Sequence, residues 1–207
     1  MPGPAPPASP DRKVGLIRSA YRLFSEKGVH GVPLEEIAEN AGLSKGLILY
    51  YFKTKENLVL ATMSWALDAT AERVRQAMAG AATPEGQVLA MIDGIWSGAE
   101  TNRRFYLLYL DLAGHAARLH QFTQLSATFH SLVNGLYAEV IAVGIAAGAF
   151  GAVDPEEGAA ALRAIIEGLF LQWLQEADWE RLHPWYRDAC KRAALAYLIR
   201  TPGSPAP

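Results

Sequence analysis

The chain has 207 residues, 51% of them hydrophobic and 19% charged, with 19 Lys or Arg against 21 Asp or Glu. A chain this apolar can bury a full core, which excludes global disorder, and a net charge of −2 excludes an all-over basic coat of the histone or ribosomal kind. The single cysteine, Cys190, excludes an internal disulfide framework and a multi-thiolate zinc site, and it fits a reducing cytoplasm.

Pro at 2, 4, 6, 7 and 10 marks residues 1–10 as a disordered tail, and residues 201–207 form a similar frayed end. The first ten residues hold neither a basic n-region nor an apolar h-region, so no signal peptide is expected. Almost everything between the tails reads as helix. Val14, Ile17, Tyr21 and Phe24 recur at helical spacing, and Lys27-Gly28 supplies a cationic last turn and a terminating glycine. A second short helix carries Leu34, Ile37, Ala38 and Ala41 on one face and closes at Gly42. Ser44 caps a third, Lys45 to about Phe52, and Thr54 caps a fourth, Lys55 to about Ala79.

The remainder reads as five apolar helices over 84–99, 102–118, 120–148, 155–177 and 184–200. Thr83-Pro84 and Asp154-Pro155-Glu156-Glu157 place caps, first-turn prolines and acidic residues where helices begin. The uncharged stretch Val140 to Val153 has 14 residues, short of the roughly 20 that a membrane span requires, so no membrane partner is expected. Residues 1–60 hold eight Lys or Arg against six Asp or Glu, whereas the rest holds 11 against 15. The basic excess lies at the head.

Two short helices joined by Ala41-Gly42-Leu43-Ser44 have the form of a helix-turn-helix, whose second helix enters the major groove of DNA. At 100° per residue, Ile48, Tyr51 and Phe52 turn toward a small core. Gly46 and Tyr50 face away, flanked by Lys45, Leu47 and Leu49. Gly46 allows close backbone approach, Tyr50 offers a ring and a hydroxyl, and the leucines offer apolar contact to a thymine methyl. Lys55, at a helix N-terminus, suits a phosphate.

Residues 12–60, above all Ile37-Ala38-Glu39-Asn40-Ala41-Gly42-Leu43-Ser44-Lys45-Gly46 and Tyr50-Tyr51-Phe52-Lys53-Thr54-Lys55-Glu56, resemble the DNA-binding domain of TetR-type transcriptional repressors. The resemblance implies an all-α fold: a three-helix head at 11–55, then a helical body at 56–200 for effector binding and dimerisation, about nine helices in all. It implies DNA contacts at Lys45, Gly46, Leu47, Tyr50 and Tyr51, with Lys55 on the backbone and Ser44 at the helix start in the same set. The sequence departs from the family pattern in three places. Val32-Pro33 stands where a hydroxyl cap is usual, Leu47 where a small or hydroxyl residue is common, and Tyr50 where His is frequent.

Other motifs have plainer explanations. Gly42-Leu43-Ser44-Lys45-Gly46 matches a hydrolase nucleophile elbow, but that elbow needs a preceding strand, and an amphipathic helix precedes it here. His115 and His120 lack the company of a metal site. Arg104, Asp111 and His115 form one polar stripe, read as a hydrogen-bonded seam. No nucleophile–base set or paired carboxylates are placed, so no enzyme, cofactor or metal is expected. Trp96, Phe105, Tyr106, Tyr109, Phe122, Phe129, Phe170 and Trp173 are core candidates that could also line a pocket for a small apolar effector. Leu162, Ile166, Leu169, Trp173, Ala193 and Tyr197, on the last two helices, are expected to form a four-helix homodimer interface, the same helix pair that the resemblance implies. The expected function is a cytoplasmic, ligand-responsive repressor released from a palindromic operator on double-stranded DNA. The alternative is a DNA-binding regulator whose body recruits a protein partner.

Overall fold

The computed structural model describes residues 9–116 and 123–199. Among these, nine α-helices and no strand occur: α1 Pro10–Lys27, α2 Leu34–Asn40, α3 Lys45–Phe52, α4 Lys55–Met78, α5 Pro84–Ile95, α6 Ala99–Ala116, α7 Thr123–Ala146, α8 Pro155–Leu174 and α9 Trp179–Leu198.

Local chemistry sets the ends. Ser9 caps α1, its hydroxyl accepting from the Arg12 N–H, so Pro10 is a first-turn residue and not the end of a tail. α5 stops at Ile95, four residues before the expected end. Asn102 donates its amide to the Ile95 carbonyl at 2.7 Å and occupies the orphaned end of that helix. α9 begins at Trp179, five residues before the expected 184, and Pro184 lies inside it. A proline read as a helix start is here a sixth residue, tolerated near the N-terminal end. α8 opens as expected, Asp154 accepting from the Glu156 and Glu157 N–H groups at 3.0 and 3.1 Å.

The described chain divides into two compact units: Met1–Asp68 with Arg104–Ser126, and Ala69–Arg103 with Ala127–Pro207. Helices α4, α6 and α7 have residues in each. In the first unit, Leu16, Ala20 and Phe24 of α1, Ile37 of α2, Ile48 of α3 and Leu58 of α4 are buried to within 1% exposure. In the second, Met91 and Ile92 of α5, Leu162, Ile166 and Phe170 of α8, and Cys190 and Ala194 of α9 do the same. Close approach within the second unit rests on glycine. A Cβ on Gly94 would lie 2.9 Å from the Val74 Cα, and one on Gly144 would overlap the Phe150 ring. Among the described residues no helix is long and apolar enough to cross a membrane.

Candidate functional site

The turn between α2 and α3 is built by backbone capture. Gly42 has φ +65°, the left-handed region that glycine adopts without penalty, and its N–H donates to Glu39 O at 3.0 Å while the Leu43 N–H donates to Ala38 O at 2.9 Å. Ser44 then caps α3 by accepting from the Leu47 N–H at 3.3 Å. Pro33 caps α2 without a side-chain bond, as the missing hydroxyl there implies. From beneath, the Ser19 hydroxyl of α1 lies 3.1 Å from Ile37 O and 2.9 Å from Asn40 Oδ1, which fixes α2 against α1.

α3 turns one face inward and one outward. Leu47, Ile48 and Phe52 are buried, whereas Lys45, Gly46, Leu49, Tyr50 and Lys53 are exposed, Tyr50 by 61%. A Cβ on Gly46 would meet only the Ser44 hydroxyl, at 3.8 Å, so packing within the chain does not require a glycine there. Lys53, just past the helix, has φ +67° and ψ −46°, a conformation costing a lysine about 1–3 kcal/mol. Its Nζ lies 5.5 Å from the centre of the Tyr50 ring. Lys45 Nζ stands 2.5 Å from Glu35 Oε1 on α2, and this bond is the main reason the Glu35 carboxyl is held below the usual carboxylate range. Neither Lys53 nor Glu35 was singled out from sequence. The exposed positive φ and the cross-helix ion pair are visible only in three dimensions.

Two expected DNA contacts are placed otherwise. Leu47 is 4% exposed and belongs to the core, because its side chain leans back over the preceding turn onto the inner face. Tyr51 is half-buried, and its hydroxyl donates to Ser9 O at 2.9 Å, tying α3 to the start of α1. Lys13 Nζ lies over the Phe52 ring and strengthens the same junction. Lys55 opens α4 half-exposed, beside the cap that Thr54 makes with the Asn57 N–H at 3.2 Å.

The expected effector aromatics form two clusters, one in each unit. Phe105, Tyr106 and Tyr109 stand along α6 with ring centroids 5.3 to 6.5 Å apart. Trp96, Phe170 and Trp173 form the second cluster: Trp96 stacks on Phe170 at 3.6 Å, and Trp173 meets both edge-on. These three are at most 2% exposed and fill their space with one another. Phe122 and the Phe129 side chain lie outside the described residues. His183 joins the second cluster, its Nε2 2.8 Å from Asn102 Oδ1, and burial, aided by the nearby Arg187 charge, pushes its pKa below the ordinary histidine value. Tyr186 donates to Glu176 Oε1 at 2.6 Å, a bond that raises the phenol pKa. Burial pushes the Cys190 thiol up to about 12, leaving it unreactive.

Arg104 of the polar stripe reaches Glu26 at 3.8 Å, and Asp111 accepts from the Val29 N–H at 2.7 Å. The His115 side chain is outside the described residues. Of the expected interface set, Leu162, Ile166 and Trp173 are wholly buried inside the second unit, so their side chains cannot meet a partner. Leu169, Ala193 and Tyr197 are half-exposed. The outward side of the same helices carries Ala164, Leu171, Trp185, Ala196 and Ile199.

Residues 16–62 match the family model for bacterial regulatory proteins of the tetR family, and residues 84–201 match the model for the C-terminal part of BetI-type transcriptional repressors. The HTH-type transcriptional regulator BetI of Yersinia pestis is 27% identical over 122 residues, covering 56% of this chain and 62% of that protein. The BetI of Rhizobium meliloti is 37% identical over 83 residues, 40% of this chain and 41% of its own. The chain therefore spans less than two thirds of the curated relatives it matches. By fold it is similar to a TetR-family regulator from Rhodococcus (TM-score 0.80, 21% identity, 92% of this chain and 100% of that one). It is also similar to a transcriptional regulator from Saccharomonospora viridis solved in complex with choline (TM-score 0.82, 18% identity, 93% and 100%). With two consecutive family models matched, the second over more than half its length, the chain belongs to the TetR family of bacterial transcriptional regulators and carries a BetI-type C-terminal region.

Proposed function

We propose that the chain is a transcriptional repressor that binds double-stranded DNA through α3 and leaves it when a small effector occupies the body. The observation that carries this is the division of α3 into a buried face, Leu47, Ile48 and Phe52, and an outward face of Lys45, Gly46, Tyr50 and Lys53. A short helix so presented suits the major groove, with Tyr50 and Lys45 toward base edges and Lys53 and Lys55 toward phosphates. Two such helices in a homodimer would read a near-palindrome with half-site centres about 34–36 Å apart. The outward sides of α8 and α9 are the proposed dimer contact. They carry apolar Leu171, Trp185 and Ile199 at 48%, 58% and 50% exposure among small residues that permit close approach. A DNA partner places the protein in the cytoplasm.

The effector in this reading is small and largely apolar in surface. The aromatic content of the body supports it, and the Saccharomonospora neighbour holds choline, a cation whose charge is wrapped in methyl groups that aromatic rings recognise. The effector need only favour one conformation by a few kcal/mol to shift the population decisively. A thermal-shift screen of quaternary ammonium and neutral apolar compounds, followed by operator titration with each stabilising compound, tests this. Compounds that stabilise the protein and weaken operator binding support the reading. If compounds bind without changing operator affinity, the body instead recruits a protein partner.

A further inference from the structure

Lys45 opens the outward face of α3, yet its ammonium is engaged within the chain. It stands 2.5 Å from Glu35 Oε1, with the two side chains 48% and 55% exposed. Glu35 lies in the first turn of α2, beside Glu36, whose own carboxylate is 2.5 Å from Lys27 on α1. The two carboxylates thus serve different helices: Glu36 braces α2 against α1, and Glu35 reaches the start of the reading helix. A carboxylate at that place is unfavourable for phosphate binding; the N-terminal turn of α2 favours it, and its carboxylate meets Lys45.

Building on the DNA-binding reading, we propose that Glu35 is a specificity-determining residue that withholds Lys45 from random DNA and surrenders it at the operator. The magnitudes decide between the two encounters. An exposed ion pair is worth at most about a fivefold equilibrium factor. A lysine contact to the O6 and N7 acceptors of a guanine is worth roughly fivefold to 150-fold in discrimination, so it outweighs the pair. A single phosphate contact in non-specific DNA gains the release of about one counterion, roughly eightfold at 0.1 M salt and less as salt rises, so against the ion pair it nets little. Lys45 is therefore shared between Glu35 and phosphate along random sequence, where most of its gain is lost to the ion pair, and leaves Glu35 where α3 meets the matching base. Non-specific affinity is almost wholly electrostatic, so it loses the most from this withheld charge.

The test measures binding of the full chain to its selected operator and to a random duplex of equal length across a salt series, for wild type, Glu35→Gln, Lys45→Gln and the double variant. Glu35→Gln should tighten random-duplex binding by about threefold to fivefold near 0.1 M salt and steepen its salt slope by up to about 0.9. Operator affinity should change less than twofold, so the specificity ratio falls. In the Lys45→Gln background the Glu35 change should have no effect on either slope, which separates release of Lys45 from plain loss of repulsion. Circular dichroism and the melting temperature confirm that α2 survives. Equal gains on both duplexes, no gain on random duplex, or the same gain without Lys45 would each overturn this inference while leaving DNA binding intact. A wild-type chain that binds no duplex overturns the DNA-binding reading, and this inference with it.

Discussion

The carboxylate of Asp111, on α6, accepts the backbone N–H of Val29 at 2.7 Å, across 82 residues of chain. Val29 follows the end of α1, where Gly28 turns with φ +74°, and a Cβ on Gly28 would lie 3.6 Å from the same carboxylate oxygen. Arg104, two turns earlier on α6, reaches Glu26 in the last turn of α1. α6 thus grips the exit of the helix that supports the core beneath α3.

A hydrogen bond to a charged acceptor contributes about 1.5–3 kcal/mol, and removing the acceptor leaves the amide unmet. Asp111→Ala should therefore lower unfolding free energy by about that amount in urea denaturation, and Asp111→Asn by less, since the amide oxygen still accepts. If Asp111→Ala unfolds at the wild-type midpoint with an unchanged slope, the grip contributes nothing.

Lys53 sets a stability gain against a loss of binding. Glycine adopts its φ of +67° without the side-chain penalty, so Lys53→Gly should raise stability by about 0.5–1 kcal/mol. The same change removes a positive charge beside Tyr50, so DNA affinity should fall and the salt slope flatten by about one unit. Calorimetry and fluorescence anisotropy read the two effects separately.

His183 gives the fold a pH dependence. Its neutral ring donates to Asn102, which in turn holds the end of α5, and burial lowers its pKa below the 6.5 of an exposed histidine. Between that lowered value and 6.5 the unfolded chain binds a proton that the folded chain refuses. Stability is therefore full above about pH 6.5 and declines as pH falls through this window. Melting temperatures from pH 8 to 5 should show the decline for wild type and a smaller one for His183→Gln, which keeps a donor and cannot titrate.

The outward faces of α8 and α9 predict how the dimer fails. Leu171→Glu places a charge where the side chain is 48% exposed, so helicity should be kept and light scattering at micromolar concentration should report a monomer. Leu162→Ala, at 0% exposure, should instead cost about 2–5 kcal/mol of fold stability. A dimeric Leu171→Glu protein would move the contact elsewhere.

Legibility from sequence followed the range of the forces involved. Caps and turns are local, so Ser44, Thr83 and Asp154 announced their helices, and Gly42 its turn. Faces of short helices were legible to about one position. α3 has only eight residues, and a stripe centred on Ile48 and Phe52 left Leu47 on the boundary, where burial claimed it. The hydrophobic stripe of α8 showed that it buries one side, but not whether a chain neighbour or a partner covers Leu162 and Trp173. Both answers satisfy the same pattern. Contacts between distant segments, Asp111 with Val29 and Glu35 with Lys45, leave no periodic trace, since a surface carboxylate in a helix reads the same with or without its partner.

Selection of bound duplexes from a random pool by the full chain tests the central claim most directly, with Gly46→Glu as the comparison. The account predicts enrichment of a near-palindrome whose half-site centres lie about one helical turn apart, roughly 34–36 Å. Gly46→Glu puts bulk and charge on the outward face of α3, where a Cβ would make only an ordinary contact with the Ser44 hydroxyl, so it should fold as wild type and enrich nothing. Failure of the wild type to enrich any sequence, or enrichment of the same operator by Gly46→Glu, would contradict the assignment of α3 as the reading helix.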